Sequence, residues 1–504
     1  MTVHTDHRIP AGFTELPGLD ALEGITLSAA PPAADAQAVG YAVFTDKDVP
    51  AELGLDRDAL TRAGFEAAVG KTLLIPAATG PDLVAVGAGG SGEIDGAKLR
   101  DLAAAFVRAA SRAARLALVI DRASVDAASG AAALAEGAVL ARYRYTILKS
   151  ESKHTALDAL TVSLEGADGE HVTQGLAAGM LAARATIIAR DVTNTPPGLL
   201  TATNLAEIAQ TLGERFGFGV EVFDKAALTE LGCGGLLGVN QGSVEEPRMI
   251  KLTYAPSGIA RGHLGLVGKG IMYDSGGISL KPSDPMHLLM KMDMGGAAAV
   301  LGAFTVVAGL GTAARVRGWL MCTDDMPSGT AYKLGDVLVA RNGTTVEVKN
   351  TDAEGRLVMM DAIALANEDG VDAIVDIATL TGAALMALGQ ATAPIFANND
   401  STAALVERSA AATGESVWRM PLERKYRPQL ESDIADISNL GGKYAGATTA
   451  ALFLDHFVGK TPWVHIDIAG TMQSDKDDSW LTAGATGFGA RLLAAVATDF
   501  GPPE

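Results

Sequence analysis

The chain alternates short apolar segments with longer stretches in which apolar residues recur at helical spacing. In the first third, residues 71–76, 82–87 and 116–121 are short apolar runs, whereas residues 97–110 place apolar side chains three and four positions apart. Short apolar runs bounded by turns predict strands, and the longer periodic stretch predicts a helix. Strands that alternate with helices predict a mostly parallel sheet with helical cover.

A long helical pattern separates this part from the rest of the chain. It runs from about residue 172 to residue 190 and stops at Asn-Thr-Pro-Pro-Gly, residues 194–198, because paired prolines cannot continue a helix. The alternation then resumes, and it predicts strands at 220–223, 249–254, 263–268, 314–321, 373–378 and 463–469.

These patterns predict an α/β protein of two domains, each with a mostly parallel or mixed sheet covered by helices, joined by a long helix. The predicted boundaries are 1–171 for the N-terminal domain, 172–198 for the linking helix and loop, and 199–504 for the C-terminal domain. A chain of 504 residues, 48% of them hydrophobic, is long enough for more than one core.

Charge and cysteine content narrow the possible partners and setting. The formal net charge of −19 makes nucleic acid an unfavoured partner, because phosphate binding needs a basic surface. The two cysteines, Cys233 and Cys322, are far apart and form no C-x-x-C motif, which favours a reducing compartment. The first residues lack the apolar core of a signal peptide.

Two uncharged stretches, 294–314 and 377–399, reach the length that spans a membrane. Both are rich in glycine, alanine and threonine, and the second also contains a proline and two asparagines. We therefore predict that these stretches form a buried helix, or a strand followed by a loop and a helix, and that the protein is cytoplasmic, with no membrane partner.

A glycine-rich stretch offers one candidate nucleotide site. Gly87, Gly89 and Gly92 match G-x-G-x-x-G between a predicted strand and a predicted helix, and Asp121 ends the next strand. This arrangement is typical of NAD-binding domains. Glycine is frequent in this chain, so a plain glycine-rich turn is the favoured interpretation, and an NAD-binding oxidoreductase stays as the alternative.

Four carboxylates lie at predicted strand ends and helix starts, where open α/β sheets place ligands. Asp274 follows an apolar strand, and Asp293 precedes a glycine- and alanine-rich helix. Asp352 and Glu354 belong to N-T-D-A-E-G-R-L, residues 350–357, between a predicted strand and a predicted helix. Residues two apart in an extended segment project to the same side, so these two acids should act together.

Carboxylates that converge without cations would repel one another and raise each other's pKa. Divalent ions remove that repulsion; oxygen ligands suit magnesium and manganese, and zinc also accepts carboxylates. For any single acid, the alternative is a structural role, such as capping a helix or pairing with Lys269, Lys281 or Arg356.

Two of these segments carry a family resemblance. V-G-K-G-I-M-Y-D-S-G-G-I-S-L-K, residues 267–281, and the octapeptide at 350–357 resemble signatures of the leucine aminopeptidase (cytosol aminopeptidase) family of two-metal exopeptidases. The similarity continues in N-T-P-P at 194–197, D-I-A-T-L-T-G-A at 376–383 and G-A-T-G-F-G-A-R at 484–491. It covers nearly all of the chain after Asn194, whereas the earlier part matches only in layout.

The resemblance implies a ligand set for two ions. Lys269, Asp274, Asp293 and Glu354 would hold one ion, and Asp274, Asp352 and Glu354 would hold the other. Asp274 and Glu354 would bridge the two ions, and the backbone carbonyl of Asp352 would assist. The lysine would bind as the neutral amine, so its pKa would have to fall.

The resemblance also implies the remaining roles at the site. Lys281 would be the catalytic lysine that stabilises the oxyanion, and Arg356 would hold a bicarbonate ion that acts as general base. Substrate contacts would fall on Met290, Asn350, Ala353, Thr379, Leu380 and Gly382.

The implied activity is a metal-dependent aminopeptidase that releases unblocked, preferably apolar (leucine-like) N-terminal residues from peptides. The ions would be manganese or zinc, with magnesium as a third option. The protein would be a homohexamer, a dimer of trimers, whose N-terminal domain serves assembly and access to the site. A DNA-binding or scaffold role is a second alternative, which the negative charge disfavours.

The chain departs from the family pattern at two places. Asp324-Asp325 stands where the pattern has Glu-Asn, and the interval from Asp274 to Asp293 is one residue longer, with the insertion within 282–287.

Overall fold

The computed structural model describes residues 10, 12–121 and 125–503, and it divides the chain into two compact units. The first unit consists of Met1–Ile187 with Ser474–Gly484, and the second of Ile188–Gln473 with Ala485–Glu504. The domain boundaries at 171 and 198 remain a prediction. The compact units divide the chain within a helix and include a late segment in the first unit.

The first unit is a six-stranded sheet with helices. Its strands are β1 Thr26–Ala29, β2 Ala38–Phe44, β3 Thr72–Ile75, β4 Asp82–Gly89, β5 Arg115–Ile120 and β6 Ala159–Leu164. Its helices are α1 Pro17–Glu23, α2 Arg57–Arg62, α3 Gly96–Ala109 and α4 Ala127–Arg142, together with the short 3₁₀ helix Ala51–Leu53. The long helix α5 Gly169–Asn194 begins in this unit and ends in the second. The strand order is β1-β6-β5-β2-β4-β3, and every neighbouring pair is parallel except β3 and β4.

The second unit contains the remaining elements. Its strands are β7 Gly219–Phe223, β8 Arg248–Tyr254, β9 His263–Asp274, β10 Arg315–Asp325, β11 Val337–Val339, β12 Thr345–Glu347, β13 Ala373–Ala378, β14 Ala393–Ala397, β15 Val417–Arg419, β16 Ile437–Ser438 and β17 Trp463–Asp467. Two further short strands, β18 Gln473–Ser474 and β19 Gly484–Ala485, form a separate two-stranded sheet.

The helices of the second unit are α6 Ala202–Phe216, α7 Lys225–Leu231, α8 Gly234–Asn240, α9 Pro285–Leu288, α10 Gly295–Val307, α11 Gly355–Glu368, α12 Gly382–Leu388, α13 Asp400–Thr413, α14 Gly446–Val458 and α15 Ala490–Asp499. Met290–Met292 and Arg424–Leu430 are 3₁₀ helices. The main sheet has eight strands in the order β15-β14-β17-β13-β9-β10-β8-β7 and is mixed. The predicted α/β class with two sheet-and-helix units is confirmed.

The central strand β9 is longer than its sequence pattern predicts. We expected the strand to end at residue 268, but it continues to Asp274. Gly268 therefore lies within the strand and not in a turn. A side chain at this position would collide with helix α10, because a Cβ there would lie 2.8 Å from Cα of Ala297. The glycine instead allows the helix to pack closely on the sheet, and the long strand carries both Lys269 and Asp274.

The first uncharged stretch forms the predicted buried helix, and the second contains the predicted strand, loop and helix, although most of α12 is exposed. Every residue of α10, in the first stretch, is buried, and the second stretch forms the end of β13, then α12, then β14. By length and composition, one described helix, α5, could cross a membrane, and 56% of its most apolar window is buried inside the protein. A core helix has the same properties, so this is weak evidence for a membrane span.

Candidate metal centre

Lys269 lies in the middle of β9, and its side chain is 3% exposed. Its Nζ lies 2.7 Å from Oδ2 of Asp293 and 2.8 Å from Oε1 of Glu354, and it donates a hydrogen bond to the carbonyl of Thr379. Helix α11 begins with Gly355 beside this lysine, and a Cβ on Gly355 would lie 2.7 Å from the lysine Nζ. The glycine therefore allows the lysine to reach both acids.

Asp274 ends β9, and a glycine turn follows it. Gly276 and Gly277 have φ angles of +86° and +62°, which glycine adopts without the strain that a side chain would bring. The N–H of Gly276 donates to Oδ1 of Asp274 at 2.8 Å. The turn returns the chain so that Nζ of Lys281 lies 2.7 Å from Oδ2 of Asp274 and 2.6 Å from Oδ1 of Asp352.

Asp352 and Glu354 come together through a turn, so our expectation of an extended segment was wrong. Glu354 has φ −75° and ψ −35° immediately before α11. The side chain of Asn350 accepts a hydrogen bond from the N–H of Asp352, and the amide of Asn439 donates to the carbonyls of Asn350 and Ala353. Local side-chain hydrogen bonds of this kind favour turns over regular structure.

The same turn is bonded to the glycine turn after β9. Thr351 accepts a hydrogen bond from the N–H of Ser279 at 2.8 Å and donates to the carbonyl of Gly276 at 2.7 Å. Asp293, from the segment before α10, accepts a hydrogen bond of 2.6 Å from the hydroxyl of Thr379. Three distant segments are thus fixed around one point at the end of the sheet.

The acids repel one another, and burial increases the cost of their charge. Burial and the charge of Glu354 raise the pKa of Asp274 well above its usual range. Burial likewise raises the pKa of Asp293 to about 7, against the opposing effect of Lys269, and raises the pKa of Asp352. Glu354 differs, because Lys269 and Lys281 outweigh its burial and lower its pKa.

The two lysines carry the positive charge at this cluster. Burial acts to lower the pKa of Lys269, but the charges of Asp293 and Glu354 outweigh burial and raise it. Asp274 and Glu354 raise the pKa of Lys281 in the same way. The ammonium groups of Lys269 and Lys281 each lie between two carboxylates, and a small bound cation would be held by the acids in the same way.

This donor set fits divalent ions. One oxygen each from Asp274, Asp352 and Glu354 lie within 4.8 Å of one another, and ligands on opposite sides of an ion with ~2.1 Å bonds are about 4.2 Å apart. Oxygen-rich sets suit magnesium and manganese, and zinc also takes carboxylates. A lysine amine could join such a set only after losing its proton.

A cavity of about 270 Å³ opens beside the acids. Its walls include eight of the residues singled out from the sequence: Asp274, Lys281, Met290, Asp293, Asp352, Thr379, Leu380 and Gly382. The other predicted site residues, Lys269, Asn350, Ala353, Glu354 and Arg356, do not line it.

Several lining residues were missed by the sequence analysis. The cavity wall also contains Pro282, Asp284, Met286, His287, Leu289, Met292, Thr381, Leu385, Ala469 and Met472. Ala469 and Met472 follow strand β17, far along the chain from the acids. Ala469 belongs to the segment His-Ile-Asp-Ile-Ala-Gly, residues 465–470, and Met472 comes just after it, and only this place in the sequence could have pointed to them. Apolar and thioether side chains make up most of this wall.

Arg356 follows Gly355 in α11 and is 6% exposed. Burial lowers its pKa to about 10, so the guanidinium remains charged at neutral pH. In the described part of the chain its Nε and Nη1 have no hydrogen-bond partner. A buried cation with free donors next to Glu354 is suited to an anion.

Asp325, at the end of β10, is a further buried acid near the cluster. It is 0% exposed, and burial together with the charges of Glu354 and Asp274 raises its pKa well above the usual range. Neither of its carboxylate oxygens has a hydrogen-bond partner among residues 12–121 and 125–503.

The glycine-rich loop after β4 does not resemble a pyrophosphate site. Both the N–H and the hydroxyl of Ser91 donate hydrogen bonds to the carboxylate of Asp46. A carboxylate therefore takes both donors of Ser91 and would repel a phosphate at this loop. Asp121, which would bind the ribose in the NAD-binding alternative, pairs with Lys47 at 3.2 Å.

The fold and the site together define a class. A mixed α/β sheet carries, at the end of its central strand, an oxygen-rich cation site with two lysines beside an apolar cavity, which is an arrangement suited to metal-assisted hydrolysis.

Comparison with known proteins gives the family. Residues 187–494 match the model of the cytosol aminopeptidase family, catalytic domain, and residues 50–152 match the N-terminal domain model of the same family. The chain therefore belongs to the cytosol aminopeptidase family, whose members are metal-dependent aminopeptidases acting on peptides.

Individual relatives agree with this assignment. A probable cytosol aminopeptidase of Solibacter usitatus is 42% identical over 82% of this chain and 86% of its own length. A probable cytosol aminopeptidase of Chlorobium limicola is 42% identical over 88% of this chain and 92% of its own length. Among solved structures, the bottromycin maturation enzyme BotP in complex with Mn has a TM-score of 0.84 and 39% identity, covering 92% of this chain and 99% of its own.

Proposed function

We propose that this aminopeptidase uses two divalent ions to remove unblocked, apolar N-terminal residues from peptides. The observation that carries the proposal is the meeting of four carboxylates and two lysines beside an apolar cavity. The ligands of the ions would be Lys269, Asp274, Asp293, Asp352 and Glu354. When bound, the ions would polarise the scissile carbonyl and activate water.

The residues of this chain would supply the rest of the chemistry. Lys281 lines the cavity and would stabilise the negative charge that develops on the scissile carbonyl oxygen. Arg356 would hold a bicarbonate ion as general base, which its buried and unpaired donors support. Thr379 would fix the orientation of Asp293 through its 2.6 Å hydrogen bond.

The preference for apolar residues rests on the cavity wall. Met290, Leu380 and Met472 line the space next to the acids, and methionine side chains adapt to irregular apolar shapes. A leucine or methionine side chain would bury its apolar surface there at about 25 cal/mol per Å². Asn350, Ala353, Thr379 and Gly382 would complete the substrate contacts.

The decisive experiment is elemental analysis of the purified protein together with hydrolysis of aminoacyl amides. We expect two divalent ions per chain and fast release of leucine and methionine, with slow release of aspartate. Nα-acetyl-leucine amide is the matched control and should not react. Hydrolysis that persists after complete metal removal would refute the proposal.

Two substitutions test the ligand assignment. Asp352→Asn and Glu354→Gln remove one ionisable oxygen while keeping the size of the side chain, so both should abolish hydrolysis of Leu-p-nitroanilide and lower bound metal. Asp336→Asn, at a loop carboxylate that accepts a hydrogen bond from the N–H of Lys333, is the control. Full activity in either site variant would contradict the assignment.

We further propose that the ions are manganese or zinc, with magnesium as a third option. The BotP structure contains manganese, which supports the first. We also propose a cytoplasmic homohexamer, a dimer of trimers, whose first unit serves assembly and access, and light scattering would measure the number of copies.

A further inference from the structure

The candidate for a further role is Asp325, which lies at the last position of β10 beside the end of β9. Its register partner in the parallel pair is Asp274, after an irregularity between Thr323 and Asp325. Irregularities of this kind change the direction of a side chain and are common next to active sites.

The backbone of Asp325 is held firmly against the turn after β9. Its carbonyl accepts hydrogen bonds from the N–H of Ser275 at 3.1 Å and from the Ser275 hydroxyl at 2.6 Å. Its carboxylate lies beside Gly277, where a Cβ would be 2.9 Å from Oδ1. The side chain therefore lies against the turn that follows Asp274.

Other fully buried aspartates of this unit accept hydrogen bonds. Asp361 accepts hydrogen bonds from the N–H groups of Gly235, Leu236 and Arg341. Asp376 accepts them from the rings of Trp463 and His465. Asp325 is equally buried and accepts none in the part of the chain that the structure describes.

An unpaired buried carboxylate is costly, and a purely structural role would normally provide donors for it. Hydrogen bonds therefore do not explain this acid. A negative charge on Asp325 would instead strengthen cation binding, because a cluster with one more negative charge attracts a divalent cation more strongly.

We propose that Asp325 is a positioning residue that tightens binding of divalent ions at the neighbouring centre through its charge, without ligating them. One oxygen each from Asp274, Asp352 and Glu354 can face a common ion, and Asp325 is paired in register with Asp274 on the neighbouring strand. The inference rests on the proposed metal centre and adds a residue that the ligand set does not include.

The test is Asp325→Asn, which keeps the shape and removes the charge. Titration with manganese chloride should show an affinity at least about 10-fold weaker, the lower range for residues behind a ligand set. The chelator-treated variant should melt at the same temperature as the parent or higher, because the Asp325 side chain has no hydrogen bond to lose among the described residues and an amide is not repelled by the neighbouring acids. A purely structural role would instead lower that melting temperature.

Asp324→Asn is the matched control. The Asp324 carboxylate accepts a hydrogen bond from Ser243, and we expect its affinity for manganese to be unchanged. Asp325→Ala, which also removes the charge, should weaken binding as Asp325→Asn does.

Three results separate the outcomes. Unchanged manganese affinity in Asp325→Asn overturns this proposal alone. Weaker binding accompanied by a lower melting temperature in the metal-free state, or by equal weakening in Asp324→Asn, also overturns it. A parent protein that binds no manganese, zinc or magnesium overturns the proposed metal centre itself.

Discussion

At the scale of single residues, Lys281 contacts two proposed metal ligands and also lines the cavity. Its Nζ is within 2.7 Å of Asp274 and 2.6 Å of Asp352, so it could serve either to neutralise the acids or to stabilise charge on the substrate. The two roles differ in what happens to bound metal when the lysine is removed.

We predict that Lys281→Ala keeps its metal and loses most turnover. The ligands remain in place, whereas the donor for the developing oxyanion is gone, which typically costs about 10²–10³ in kcat. Elemental analysis and the kcat for Leu-p-nitroanilide measure the two effects, with exposed Lys333→Ala as control. Loss of metal would instead make Lys281 a structural residue.

The protonation of Lys269 and Asp293 predicts pH-dependent metal binding. The pKa of Lys269 is raised by its two acids, and that of Asp293 is raised to about 7. Both groups must lose a proton to bind an ion, so affinity should rise with pH, and more steeply below about pH 7, where both protons are displaced, than above it.

Titration calorimetry with manganese chloride can test whether the affinity rises with pH. Performed in two buffers with different ionisation enthalpies, it should show protons released on binding and a smaller dissociation constant at higher pH. A dissociation constant that does not change across neutral pH would contradict the expectation.

At the scale of elements, the start of α11 is shaped by the lysine that it covers. A Cβ on Gly355 would lie 2.7 Å from Cε and Nζ of Lys269. The Gly355→Ala variant should fold, because the end of a lysine side chain can move, but the displaced amine should lower manganese affinity.

Gly169→Ala is the matched control for this prediction. Gly169 is also the first residue of a helix, and a Cβ there would have nothing within 4 Å. Its manganese affinity should equal that of the parent, as measured by the same titration. Equal affinity in Gly355→Ala would show that the contact with Lys269 has no consequence for the ion.

The elements themselves were largely predictable from local pattern. The predicted strands and helices of both units are present, with ends shifted by a few residues. The main differences lie at the site, where β9 runs on to Asp274 and the Asp352–Glu354 segment is a turn. In both places, contacts with distant segments outweigh local preference.

At the scale of the whole molecule, metal binding should stabilise the second unit, which contains all the proposed ligands. A ligand at 100 times its dissociation constant adds about 2.7 kcal/mol. Treatment with a chelator should therefore lower the melting temperature of the parent by at least about 2 °C, measured by calorimetry.

The Asp352→Asn variant is the control for this measurement. It should melt at nearly the same temperature with and without chelator, because it holds little metal. If the two compact units unfold in separate transitions, only one transition should respond in the parent. A parent whose melting does not respond to chelator would contradict the prediction.

Local sequence was sufficient for the strands, the helices, the donor types and the family, because each depends on residues close together in the chain. The distances between side chains were not available from it. Lys269 meets Glu354 and the carbonyl of Thr379 across long separations, and the cavity wall draws residues from distant segments. Likewise, only the folded structure shows that the Asp325 carboxylate lacks hydrogen-bond donors among the described residues. Packing, and not local pattern, decides which groups become neighbours.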